Sequence, residues 1–255
     1  MIQDIYPHKL NNSYRPAAVP TDNSLIVHFN SEGQILVKSA PEVDGSRRKA
    51  YPRLSEFGPK PASLTYLFAM DEDEIFLATD DEICAPEGYG YMKIREFRKV
   101  EDVSKKGVFE AFTAKHLSDW YKINKFCGKC GSKTTHSETE RAVVCPEGGN
   151  TVYPKICPAV IVGVIKKGAT KDEDQMLLTK YNRNRGVPYY ALVAGFTEIG
   201  ETFEETVARE VMEETGIRVK NIQYYKSQPW GVAYDILAGF ICEADGDTTI
   251  TRDES

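Results

Sequence analysis

Short apolar runs broken by turn residues recur between residues 24 and 79. SLIVHF (24–29), SEGQ and ILV (35–37) read as strand, turn and strand, and SLTYLFAM (63–70), DEDE and IFLAT (75–79) repeat the scheme. The twenty-odd residues before them are polar and proline-dotted, an irregular lead-in. This pattern predicts a small β-rich domain over 1–107. From Val108 to about Lys125 the period lengthens, and Phe109, Phe112, His116, Leu117, Trp120 and Tyr121 fall near one face of a helix. That stripe is expected to be core, on a connector helix over 108–126. After a cysteine-bearing segment comes AVIVGVI (159–165), a continuous apolar run suited to a buried strand. KKGATKDED is a polar turn, QMLLTKY and YYALVAGF are further strands, a helix is expected from about Phe203 to Thr215, and IRVKNIQYY and DILAGFICEA supply two more strands. These elements make up a further domain over 154–255.

Composition narrows the field. A chain of 255 residues can hold one large domain or two modest ones. A formal net charge of -6 argues against broad electrostatic binding to nucleic acid. No run reaches the length of a membrane-spanning helix, and MIQDIYPHKLNN lacks a basic-then-apolar secretory pattern, so the cytoplasm and no membrane partner are expected. Of six cysteines, three lie between Cys127 and Cys145, a spacing that suits a metal site better than a disulfide framework. Cys84 and Cys242 sit in apolar contexts and are expected to be buried strand thiols.

The informative stretch is GFTEIGETFEETVAREVMEETGI, Gly195 to Ile217. Thr202 and Glu205 have the form of a capping box, and Gly216 stands where a helix commonly stops. Between them Glu210, Glu213 and Glu214 are three and four residues apart and share a helical face. Like charges at that spacing repel by a few tenths of a kcal/mol per pair, roughly, and a divalent cation reverses the sign. Arg209 beside them can orient a carboxylate through paired hydrogen bonds. Three glutamates alone would more often be a solvated acidic face. The surrounding pattern decides otherwise. Gly195, Glu201, Arg209, Glu210, Glu213, Glu214 and Gly216, with the aliphatic residues Val211 and Ile217, match the Nudix box, a coincidence on the order of one in a billion per position.

The resemblance to the Nudix family implies an α/β/α sandwich and hydrolysis of a diphosphate bond in a nucleotide-linked substrate with Mg²⁺ or Mn²⁺. It makes Glu210 and Glu214 metal ligands, Glu213 a further ligand or water-orienting group, and the backbone carbonyl of Ala194 another ligand. Metal-activated water would attack phosphorus while the cations neutralise the diphosphate oxygens.

Cys127 and Cys130 form one metal knuckle, and Cys145 begins a second whose fourth-ligand position is Gly148. This makes most of a structural zinc ribbon, 127–153, with the fourth ligand left to His136, Cys157 or water. Such a segment ahead of a Nudix box, with Ser227-Gln228-Pro229-Trp230 after it, resembles the NADH pyrophosphatase (NAD diphosphatase) family, including members that remove NAD caps from RNA. The resemblance implies cleavage of NAD(H) to nicotinamide mononucleotide and AMP, and a homodimer. It implies a substrate site drawn from Gln228, Pro229, Trp230, Gly231, Val232, Ala233, Tyr234, Asp235, Glu140, Tyr153 and Arg95, with Glu254 as a further metal ligand. Trp230 offers a flat surface for a base, and Gln228 offers amide hydrogen bonds. The sequence departs from that family at GVAYD (231–235), where many relatives carry Pro-Phe-Pro, at Gly148, and in a short C-terminus. The same chemistry on ADP-ribose, another dinucleotide or NAD-capped RNA is one alternative; a non-catalytic nucleotide-binding relative is another.

Overall fold

The structure, a computed structural model, describes residues 1–38, 50–100, 103–180 and 189–251. It divides into two compact units, Met1–Lys155 and Ile156–Ser255.

In the first unit, β1 (Leu10–Asn11), β2 (Leu25–Val27), β3 (Ile35–Lys38), β4 (Leu64–Met70), β5 (Asp73–Ala78) and β6 (Tyr89–Met92) precede α1 (Ile94–Phe97) and α2 (Lys105–Ile123). The main sheet has the order β1-β4-β5-β2. β4 and β5 form the expected hairpin, closed by Asp71 at φ 56°. The expected turn between β2 and β3 is present, with Phe29 and Ile35 bridged antiparallel across it, but the two strands take different main partners. β2 pairs parallel with β5, whereas β3 joins β6 in a separate ribbon. The reason is burial on both faces. The period of two sends Val27, Ile75 and Leu77 towards Phe109, Leu117 and Trp120 of α2, and sends Ile26, Phe76 and Tyr66 into a second cluster with Leu36, Leu54 and Phe57.

α2 is capped by Ser104, whose hydroxyl accepts the Gly107 N–H at 3.0 Å. Its aromatic stripe is core as the spacing predicts: Phe109, Phe112, Trp120 and Tyr121 are all buried. His116 differs, since it is partly exposed and lies 2.6 Å from the Lys155 carbonyl. The unit ends in a three-stranded sheet of β7 (Thr135–His136), β8 (Val143–Val144) and β9 (Thr151–Val152).

The second unit is built on β10 (Cys157–Lys166), followed by β11 (Gln175–Met176), β12 (Thr179–Lys180), β13 (Tyr190–Ala191), β14 (Val193–Phe196), α3 (Phe203–Thr215), β15 (Arg218–Trp230) and β16 (Asp235–Asp245). QMLLTKY and YYALVAGF, each expected as one strand, are each divided into two short ones. β10 is central, parallel to β16 on one side and antiparallel to β11 and β14 on the other. That position suits a continuous apolar run, because both of its hydrogen-bonding edges are used. α3 buries Val207 and Val211 against Val160, Val162, Val193 and Phe240. Each valine so buried contributes about 1.5–3 kcal/mol. The unit is a mixed α/β layer pair; among its described residues α3 is the single α-helix.

Candidate active site

The loop from β14 into α3 sets the carboxylates in place. Thr202 and Glu205 close the capping box, Thr202 Oγ1 accepting from Glu205 N at 3.2 Å and Glu205 Oε2 accepting from Thr202 N at 2.7 Å. Gly216 ends the helix in the left-handed region at φ 73°, its N–H on the Met212 carbonyl at 2.8 Å. Val207 and Val211 turn to the sheet, Glu210 leans onto Gly195 of β14, and Glu213 is exposed.

Arg209 organises them. Its Nε and Nη2 donate to the two oxygens of Glu201 at 2.6 and 2.9 Å, a bidentate pair. Nη2 also reaches the Phe196 carbonyl at 2.9 Å, and Nη1 reaches Glu210 at 2.7 Å and Glu213 at 3.1 Å. Glu201 further accepts from the Glu198 N–H and the Thr206 hydroxyl. The Arg209 guanidinium, with that backbone N–H, holds the Glu201 carboxyl down at about 2, and the surrounding carboxylates push the Arg209 pKa higher still. Sequence reasoning placed Arg209 beside the carboxylates and left Glu201 without a role. An eight-residue separation that crosses from loop to helix gives no periodic signal.

Gly195, within β14, is where that strand meets the helix. A Cβ there would lie 1.9 Å from Glu210 Cδ and 2.1 Å from each of its oxygens. A side chain at the first glycine of the box would therefore push the Glu210 carboxylate from its seat. Glu210 is mostly buried and Glu213 largely exposed, with side-chain exposures of 14% and 56%. Ala194 is exposed on β14, opposite Ile161. Glu254 lies outside the described residues. Among those residues, the one group of three or more His, Cys, Asp or Glu ligand atoms gathered within 4.8 Å is the cysteine cluster, not the glutamates. Arg209 accounts for this by drawing Glu210 and Glu213 to itself. The donors are nonetheless of the class hard divalent cations take: carboxylate and carbonyl oxygens beside a helix. The carboxylates line neither a cavity of about 590 Å³ in the first unit nor one of about 360 Å³ in the second.

Ser227-Gln228-Pro229-Trp230 lies inside β15, not beyond a strand's end. Gln228, Pro229 and Trp230 pair with Leu237, Ile236 and Asp235 of β16. Alternation puts Gln228 and Trp230, both half-buried, on one face, and Ser227 and Pro229, both exposed, on the other. Gly231, Val232, Ala233 and Tyr234 make the turn, with Tyr234 at φ 62° and Ala233 N–H on the Trp230 carbonyl at 3.2 Å. Asp235 is buried at the start of β16. In the first unit Tyr153 donates to Glu140 at 2.9 Å, and that hydrogen bond raises the Tyr153 pKa. Arg95 is exposed on α1.

The cysteine segment folds as two matching knuckles. Gly131 N–H bonds the Cys127 carbonyl at 2.8 Å, and Gly149 N–H bonds the Cys145 carbonyl at 2.9 Å; both glycines have positive φ. The Cys127, Cys130 and Cys145 sulfurs lie within 4.8 Å of one another, a donor set that fits zinc. His136 does not join them. Its ring packs on Tyr121 at 4.7 Å, so aromatic packing claims the residue considered as a ligand. Cys157 opens β10, its N–H on the Tyr234 carbonyl at 2.7 Å. Cys242 is buried in β16, and burial pushes its thiol up to about 11. Cys84 contradicts expectation. It is exposed and outside any strand, because β5 ends at Ala78 and the chain turns through polar residues before reaching it.

Residues 158–255 match the NUDIX domain, so the second unit of this chain is a Nudix domain. Residues 124–153 match the NADH pyrophosphatase zinc ribbon domain. The chain thus carries a Nudix domain behind the zinc ribbon of NADH pyrophosphatases. It is similar to the NAD-capped RNA hydrolase NudC of Haemophilus influenzae (strain PittGG), 42% identical over 143 residues that cover 54% of this chain and 51% of that protein. The NudC of Klebsiella pneumoniae (strain 342) is 41% identical over 140 residues, with the same shares covered. The chain spans about half the length of the curated relatives it matches. A NUDIX hydrolase structure from Nitrosomonas europaea is 28% identical and covers 51% of this chain and 73% of that one, at a TM-score of 0.38, an overlay too loose to bear on the geometry.

Proposed function

We propose that this chain hydrolyses the diphosphate bond of NAD(H), releasing nicotinamide mononucleotide and AMP, with Mg²⁺ or Mn²⁺ as cofactor. The observation that carries the reading is the seating of Glu210 on Gly195 beside an Arg209 clamped by Glu201. In this proposal Glu210, Glu214 and the Ala194 carbonyl hold the cations, Glu254 adds a ligand, and Glu213 orients water. When bound, the cations neutralise the diphosphate oxygens and activate water for attack on phosphorus. Arg209 holds Glu210 and Glu213 by hydrogen bonds before any cation arrives, and the two carboxylates turn from it to take one. Gln228 and Trp230, on one strand face, supply amide hydrogen bonds and a stacking surface for one end of the dinucleotide. Pro229 and the turn Gly231, Val232, Ala233, Tyr234 and Asp235 shape that end; Glu140, Tyr153 and Arg95 are assigned to substrate as well.

NAD-capped RNA is a second substrate, favoured by the activity in the names of the relatives. No helix among the described residues is long and apolar enough to cross a membrane. We place the protein in the cytoplasm as a homodimer. Leu237 and Ile241, which alternation puts on the sheet face away from α3 and which stay partly or fully exposed, support the dimer.

Chromatography of protein incubated with NADH and Mn²⁺, beside Glu214→Gln, tests the reading. AMP and reduced nicotinamide mononucleotide from the wild type alone are expected. Intact NADH with folded protein would sink it, and cleavage of NAD-capped RNA or ADP-ribose instead would reassign the substrate.

A further inference from the structure

The two knuckles share more than their turns. Cys127 N–H bonds the Ser132 carbonyl at 2.8 Å, and Cys145 N–H bonds the Asn150 carbonyl at 2.9 Å. Every backbone hydrogen bond of the first knuckle therefore has its counterpart in the second, and Gly148 occupies the place of Cys130. Loss of the fourth thiol has not altered the backbone that would present it. A Cβ at Gly148 would meet nothing within 4 Å, and its φ is one that any L-residue adopts. No other His, Cys, Asp or Glu among the described residues fills the gap.

We propose that Cys127, Cys130 and Cys145 form a three-thiolate zinc site whose fourth position, at the open space beside Gly148, is taken by a monodentate ligand from outside the chain, a small thiol being the class that suits it. Zinc in structural sites is four-coordinate, so three thiolates leave one place to fill. A soft thiolate matches the other three donors better than an oxygen ligand does. A closed ribbon holds its zinc as scaffold only, whereas this one exchanges its last ligand with solution. The proposal rests on the zinc ribbon and is independent of the hydrolytic reading.

Cobalt(II) substitution of the full chain tests it, because sulfur-to-cobalt charge transfer reports the thiolate count and cobalt bound by carboxylates gives no such band. Adding 2-mercaptoethanol to the wild type should strengthen that band by about a third, as three thiolates become four. Gly148→Cys should begin at the higher intensity and not respond to the thiol. It should also release zinc to a chelator at least about tenfold more slowly than the wild type. A wild-type band that ignores the thiol, or no charge-transfer band at all, overturns the proposal. If Gly148→Cys fails to fold, the wild-type titration decides alone.

Discussion

At the start of the carboxylate loop a Cβ on Gly195 would lie 1.9 Å from Glu210 Cδ, whereas at the second cysteine knuckle a Cβ on Gly148 would meet nothing within 4 Å. Both glycines sit inside a ligand-bearing motif, and they are glycine for opposite reasons. Gly195 is what remains when a carboxylate must rest against backbone. Gly148 marks where a ligand is missing and the space it would have entered stays open. A glycine in a functional motif is therefore informative only together with what surrounds it.

The largest effect that could break this contrast is at Glu214. Glu214→Gln should lower kcat for NADH about 10²- to 10³-fold, as loss of a charge-stabilising group in an active site commonly does. Wild-type turnover in the variant would mean that the carboxylate helix is not the catalytic element. Next comes Gly195→Ala. The added methyl must displace Glu210, and a misplacement of that order costs about 10²-fold in kcat/KM. Retained activity would show that Glu210 can move without consequence.

Glu201→Gln removes one charge of the clamp and should cost about 10- to 100-fold in metal affinity or activity, the usual effect of an outer partner of a metal ligand. The same variant has a signature in acid. The Glu201 carboxyl is held at about 2 against an ordinary 4.5, so the stability it contributes is present above about 4.5 and is lost as pH falls towards 2. Thermal melts between pH 2 and 5 should be flatter in Glu201→Gln than in the wild type; identical slopes would remove the clamp from the account.

Thr202→Ala should cost about 1 kcal/mol of stability by opening the capping box, measured by denaturant unfolding. Smallest of all is Gly148→Ala. A methyl in open space should leave the fold unchanged while blocking the response of the cobalt band to added thiol, and a marked destabilisation would show that the protein itself already fills the space beside Gly148.

The structure kept the local readings and revised the distant ones. The capping box at Thr202 and Glu205, the stop at Gly216 and the shared face of the glutamates depend on residues within one or two helical turns. Such contacts are fixed by backbone geometry and could be read off directly. The separate main partners of β2 and β3 could not, because they depend on which cluster buries Ile26 and Val27, and those clusters draw on residues far along the chain. Cys84 was misread for a related cause: an apolar neighbourhood in sequence does not say where β5 stops.

From the sequence by itself came the Nudix box, the incomplete cysteine set and the helix that carries the carboxylates, since residue type and short-range spacing are enough for each. Only the tertiary structure decided that Arg209 is gripped by Glu201 and the Phe196 carbonyl, that Glu210 lies on Gly195, and that the second knuckle keeps its backbone without its thiol. Those facts depend on how a loop folds back over a helix and how two turns come to match, and one-dimensional spacing carries no distance between them.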